Sequence, residues 1–243
     1  MAIKLPTKKR KPITLNPKVT VMYSKPKVGK SSAVSKLEDN LILDLEGSCN
    51  HLEGFIMNIN NLADLREIGR EIVKQEYPYK YITVDTITKL EEMSLGLAAQ
   101  LYKATPMGRS WTGTDVATLP NGAGFKYWRD AFFKVLNEIQ NWAPHIILIA
   151  HLKDKLIGKK GEEINAMDLE LMGKSKFLVA ANADAIGYLY RKDNQCIINF
   201  NANNDNIVVG ARPPHLRNKE VILSEMGENG ELTTYWNKIF KPE

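Results

Sequence analysis

The chain has 243 residues, with 33 Lys and Arg against 28 Asp and Glu, a formal net charge of +5. Hydrophobic residues make up 44% and charged residues 25%. Such values exclude a mostly disordered chain, a collagen-like chain and a bundle of membrane spans. The positive charge is local, because residues 1–30 carry nine Lys or Arg and no acid. No apolar run approaches the roughly 18 residues of a membrane span, and the basic N-terminus lacks the apolar stretch of a signal peptide. Cys49 and Cys196 are too few for a disulfide framework and read as core fillers in a reducing, cytoplasmic compartment.

Residues 1–17, with Pro6, Pro12 and Pro17, read as a basic flexible arm. Its cluster Lys8-Lys9-Arg10-Lys11 suits a polyanion, nucleic acid first. One domain, 18–243, is expected to follow. A β-branched strand is expected over 19–23, a helix from about Lys30 to Leu37, and a second strand over 41–45. Residues 62–76 have helical spacing in Leu62, Leu65, Ile68 and Ile72. A third strand covers 81–85. The next helix starts after Thr86, where Thr88 and Glu91 offer a capping box, and carries the stripe Leu90, Met93, Leu97, Leu101. Residues 104–124 read as a long loop. A helix over 125–142 shows Trp128, Phe132, Val135, Ile139 and Trp142 on one face. A buried strand over 145–150 leads into a second polar loop, 152–176. A short helix near 174–182 precedes strands at 185–191, 195–201 and 206–209. Strands alternating with helices, then a β-rich end, predict one α/β domain with a largely parallel sheet.

The chemistry concentrates where strands end. Ser24-Lys25-Pro26-Lys27-Val28-Gly29-Lys30-Ser31, followed by Ser32, fits the phosphate-binding pattern G-x-x-x-x-G-K-[ST], with Ser24 in place of the first Gly. Gly29 permits close backbone approach to phosphate oxygens, and successive N–H groups supply positive potential. Lys30 reaches the terminal phosphates of ATP and Ser31 offers a hydroxyl to Mg²⁺. Asp85, at the end of an apolar strand, is the second metal group. Asp44 and Glu46 close another strand; Glu46 is the expected base for the attacking water and Asp44 the lesser alternative. His151 ends the strand over 145–150, placed to feel the γ-phosphate.

The order of these features resembles the RecA-like ATPases, and within them the compact phage-encoded proteins of single-strand annealing and recombination. The resemblance rests on the loop at 24–31, Glu46, Asp85, His151, and the run from Gly173 to Arg191, and it spans residues 18–224. It implies a RecA-like core, an ATPase stimulated by single-stranded DNA, and a homo-oligomer, filament or ring, in a bacterial host's cytoplasm. A single-strand-binding protein is a further implied partner. By the same resemblance the loops after Tyr102 and after His151 fall where relatives bind DNA. The first holds Arg109 and Trp111, with Lys126 at its edge; the second holds Lys153, Lys155, Lys159 and Lys160. Lysines and arginines neutralise phosphates, and Trp111 offers a stacking face. Arg212, with Arg217 second, is the candidate basic finger for a neighbour's γ-phosphate.

Two other classes share parts of this pattern. Partition or positioning ATPases carry an extra lysine five residues before the main one, where Lys25 stands, but Pro26-Lys27 replaces their Gly-Gly. A nucleotide-gated DNA-binding adaptor would keep the phosphate loop and barely turn over; the effect of Glu46→Gln on turnover discriminates it.

Overall fold

The β-branched run after the basic arm forms β1 (Val19–Ser24), buried at every position. The computed structural model describes residues 5, 7–11, 15–159, 162–203 and 206–242, and side chains outside 154–166. After the phosphate loop come α1 (Lys30–Ser35), β2 (Asn40–Asp44), β3 (Phe55–Asn58), α2 (Leu62–Lys74) and β4 (Tyr81–Asp85). Then follow α3 (Ile87–Met93), α4 (Leu95–Lys103), α5 (Gly124–Ile139) and β5 (His145–Lys159). The C-terminal part comprises β6 (Glu162–Leu169), α6 (Ser175–Asn182), β7 (Ala185–Lys192), β8 (Gln195–Asn199), β9 (Gly210–Ala211), β10 (Glu220–Met226) and β11 (Leu232–Thr234).

The main sheet runs β11-β10-β8-β7-β1-β5-β4-β2-β3. Strands from β7 through β3 pair in parallel, and β8, β10 and β11 add an antiparallel end. This is the α/β architecture with a β-rich C-terminal part that the sequence predicts. Alternation splits the central strands between two cores. Val21, Tyr23, Leu43, Val84 and Leu148 face α2, α3 and α5, whereas Met22, Ile42, Ile147 and Ile149 face α1 and the segment around Trp236 and Phe240. The Trp236 indole N–H donates to the Ala33 carbonyl at 2.9 Å, tying the C-terminal segment to α1. Both cysteines are buried core residues without a disulfide.

Several expectations need correction. Residues 152–169 are not a loop: β5 continues past the sheet and pairs antiparallel with β6, from Leu152↔Leu169 to Lys159↔Glu162. A two-stranded ribbon satisfies its backbone groups without a continuous apolar face, so its composition reads as loop. The helix after Asp85 starts at Ile87, directly after Thr86 as expected, but Thr88 and Glu91 are not its capping box. Its N-cap is Thr86, whose Oγ1 accepts the Lys89 N–H at 3.2 Å. The Thr88 hydroxyl instead accepts the His151 N–H, and Glu91 accepts the Met172 N–H. That helix also breaks at Ser94 into α3 and α4. Within 104–124, two short 3₁₀ turns hang on the buried Val116 and Leu119. Residues 206–209 contribute one bridge, Met167↔Ile207, before β9.

Candidate active site

The parallel register brings the chemical groups to one edge. Ser24 lies opposite His151, and Asp44 opposite Asp85. β5 separates β1 from β4, so Ser31 reaches Asp85 across the end of that strand. The result is a cavity of about 330 Å³ lined by Gly29, Lys30, Ser31, Glu46, Asp85 and His151, with Pro26, Lys27, Ser32, Ser48 and Thr86 completing the wall.

The phosphate loop turns through left-handed backbone at Lys27 (φ 64°) and Gly29 (φ 114°). At the second position a side chain would be strained, which is why glycine stands there. Ser24, the departure from the pattern, is fully buried. Its Oγ accepts from Lys30 Nζ at 2.7 Å, while the Ser24 and Lys25 carbonyls accept at 3.4 and 3.2 Å. The Lys30 ammonium is thus held in a socket of oxygens. Burial pushes its pKa down, and the Asp85 and Glu46 charges oppose that shift. Arg191 on β7, which the sequence reading did not assign to the site, donates from Nε to the Val28 carbonyl at 3.3 Å and braces the loop from outside.

Ser31 Oγ donates to Asp85 Oδ2 at 2.5 Å. Asp85 is 2% exposed, and burial pushes its pKa up. Among the described residues no group of three or more His, Cys, Asp or Glu forms a metal cage. The donor set nevertheless fits a nucleotide's Mg²⁺, which takes one or two protein oxygens and leaves the rest to phosphates and water. Cys49 sits 3.7 Å from Asp85 Oδ2, and burial together with that charge raises its pKa to about 12, so it stays an unreactive thiol.

Asp44, the lesser alternative, is 1% exposed, accepts the N–H groups of Glu46, Ser48 and Cys49, and shapes the turn that presents Glu46. Glu46 Oε1 accepts from Thr86 Oγ1 at 2.6 Å and meets His151 Nε2 at 2.8 Å. The His151 bond, then the Thr86 bond, draw the carboxyl below its ordinary pKa against the effect of burial. The same bond raises the imidazole pKa. Oε2 has no hydrogen-bond partner among the described residues. The sequence named Glu46 and His151 separately; the structure makes them one hydrogen-bonded pair.

Other candidates lie elsewhere. Lys8, Lys9, Arg10, Lys11, Arg109 and Lys153 are exposed. Trp111 is half-buried, with its ring edge-on to Tyr102 at 5.2 Å, under Lys103 and against Gly113. Lys160 lies outside the described residues, as do the side chains of Lys155 and Lys159. Arg212 donates to Asp184 Oδ1 at 3.0 Å and to the Ala181 carbonyl. Asp184 also accepts the Val19 N–H, so Arg212 sits at the start of β1, about 20 Å along six strand residues from the phosphate loop. Within its own chain it does not enter the cavity.

A phosphate loop after the first strand, a hydroxyl and carboxylate for a divalent ion, and the Glu46 carboxylate on the wall of the same cavity define a P-loop nucleoside triphosphatase. The sequence matches the AAA domain model over residues 16–214, and the chain belongs to that family of ATPases. No curated protein sequence matches it significantly. Solved structures with similar folds include a KaiC-like protein of the hyperthermophilic archaeon Pyrococcus horikoshii OT3, at 13% identity and TM-score 0.48, covering 90% of this chain and 89% of that one. Another is the RadB recombinase, at 12% identity and TM-score 0.45, covering 89% and 90%. Among the described residues no helix is long and apolar enough to cross a membrane.

Proposed function

We propose that this ATPase is RecA-like, binds single-stranded DNA as a homo-oligomer, and serves phage DNA recombination by annealing or pairing strands. In this reading Lys30 and the loop N–H groups hold the triphosphate, while Ser31 and Asp85 hold Mg²⁺, which neutralises charge on the phosphates. Glu46 Oε2 accepts a proton from water as the water oxygen bonds to the γ-phosphorus. The bond from phosphorus to the bridging oxygen breaks, and ADP leaves with that electron pair. Before this step His151 shares Oε1 and weakens Glu46 as a base. When a γ-phosphate oxygen takes the imidazole N–H, Glu46 loses that donor and gains basicity.

One observation carries the link to DNA. β5 is a single strand that bears His151 at the cavity and then continues as the lysine-containing hairpin with β6. A shift at His151 therefore moves the hairpin directly. The N-terminal basic cluster adds a sequence-independent phosphate contact.

Steady-state ATP hydrolysis with no DNA, single strands and duplex tests the reading. Stimulation by single strands alone is the expected result. Stimulation by duplex would favour a partition-type ATPase, and an absence of stimulation a nucleotide-gated adaptor; either would refute the recombination reading.

A further inference from the structure

We propose that Thr86 is a positioning residue for hydrolysis, fixing the rotamer of Glu46 so that Oε2 alone faces the nucleotide. The inference rests on Glu46 being the base. Thr86 is 1% exposed and follows Asp85 directly. Its hydroxyl has one hydrogen to give, and the surroundings decide where it goes. The Lys89 N–H, at 3.2 Å, is a donor and occupies an oxygen lone pair. Glu46 Oε1, at 2.6 Å, belongs to an ionised carboxylate, which only accepts. The hydroxyl hydrogen must therefore point at Oε1. His151 Nε2 approaches the same oxygen at 2.8 Å. Two donors on one oxygen, from α3 and β5, fix the plane of a carboxylate that is otherwise carried on a turn.

The two donors differ in kind. His151 has its second ring nitrogen buried without a partner, and its Nε2 is what a γ-phosphate can draw away. Thr86 is held in place by the helix it caps. It therefore keeps Glu46 oriented through the step in which the imidazole departs. The same residue that starts α3 behind the metal group Asp85 thus sets the distance between that group and the base.

The test measures kcat and KM for MgATP in Thr86→Val, Thr86→Ser, Glu46→Gln and the double variant Thr86→Val/Glu46→Gln, with melting temperatures as a control on folding. Valine keeps the shape and removes the hydroxyl. A hydrogen bond to a charged group is worth about ten- to a hundredfold in rate. T86V should therefore lose roughly that factor in kcat, with KM within about threefold of wild type. T86S should recover most of the loss, and the double variant should turn over no more slowly than E46Q. A purely structural cap would lower kcat by the same factor in both backgrounds, and that additivity would overturn the proposal, as would wild-type kcat in T86V. Should T86V not fold, Thr86→Ala carries the same comparison. Unchanged turnover in E46Q would instead overturn the base assignment, and the proposal with it.

Discussion

Replacing Glu46 with Gln should change stability in a pH-dependent way that only an ion pair produces. At 2.8 Å, two unit charges in water attract by about 1.5 kcal/mol. Each side chain is 27% exposed. Solvent screening and side-chain ordering then reduce the net gain to roughly 1 kcal/mol or less. The buried, unpartnered Nδ1 of His151 also works against the imidazolium. Glu46 has a lowered pKa when folded, so its contribution is present above the ordinary carboxylate range and is lost as pH falls through the lowered value. His151 has a raised pKa, so its contribution is complete below its ordinary value and is lost as pH rises through the raised one. The two conditions overlap near pH 6. Urea unfolding at pH 6 and pH 9 is the assay. Wild type should exceed E46Q by more at pH 6 than at pH 9, the extra margin being somewhat under about 1 kcal/mol. In the same variant, NMR titration should show the His151 pKa falling towards that of a free imidazole. An equal difference at the two pH values, or an unmoved His151 titration, would refute the ion pair.

Lys30→Ala should lower ATP turnover by roughly a hundredfold or more, because the ammonium buried at the phosphate loop is the main fixed cation there; normal hydrolysis would sink the assignment of the loop. Deleting residues 2–11 should weaken binding to single-stranded DNA more at low salt than at high salt, since phosphate contacts release counterions; a fluorescence-anisotropy titration at two salt concentrations reads this, and an equal loss at both counts against the cluster. Gly124→Ala should lower the melting temperature by at least about 4 °C, because its Cβ would meet the Val116 carbonyl oxygen at 1.6 Å. A melting curve matching wild type would mean that the turn at 116–118 yields without cost.

What could be read in the sequence was what adjacent residues determine. The phosphate loop is one such feature, since Gly29, Lys30 and Ser31 act through their own backbone and helix start. The buried parallel strands are another, because runs such as Ile146–Ala150 are apolar on both faces. What could not be read depended on partners distant along the chain. Thr86 and Glu46 are 40 residues apart, and nothing in either segment shows which way a hydroxyl will point. Thr88 and Glu91 had the spacing of a capping box, yet β5 and the segment after β6 claimed both side chains first. The hairpin β5–β6 is held by backbone pairing between distant residues, which needs no hydrophobic stripe along the sequence. Ser24 looked like a flaw in a motif, and its meaning appeared only with Lys30 beside it.

The unbroken course of β5 has a mechanical consequence. From Leu152 to Lys159 the strand extends roughly 26 Å beyond the nucleotide edge, at about 3.3 Å per residue. In the proposed mechanism it would act as a lever whose fulcrum is Ile149, the last residue paired with both β1 and β4. A tilt of about 10° there displaces the far end by some 4 to 5 Å over that length. In the proposed mechanism, a change at His151 no larger than the gain or loss of one hydrogen bond would be magnified into a movement comparable to the spacing of two strands.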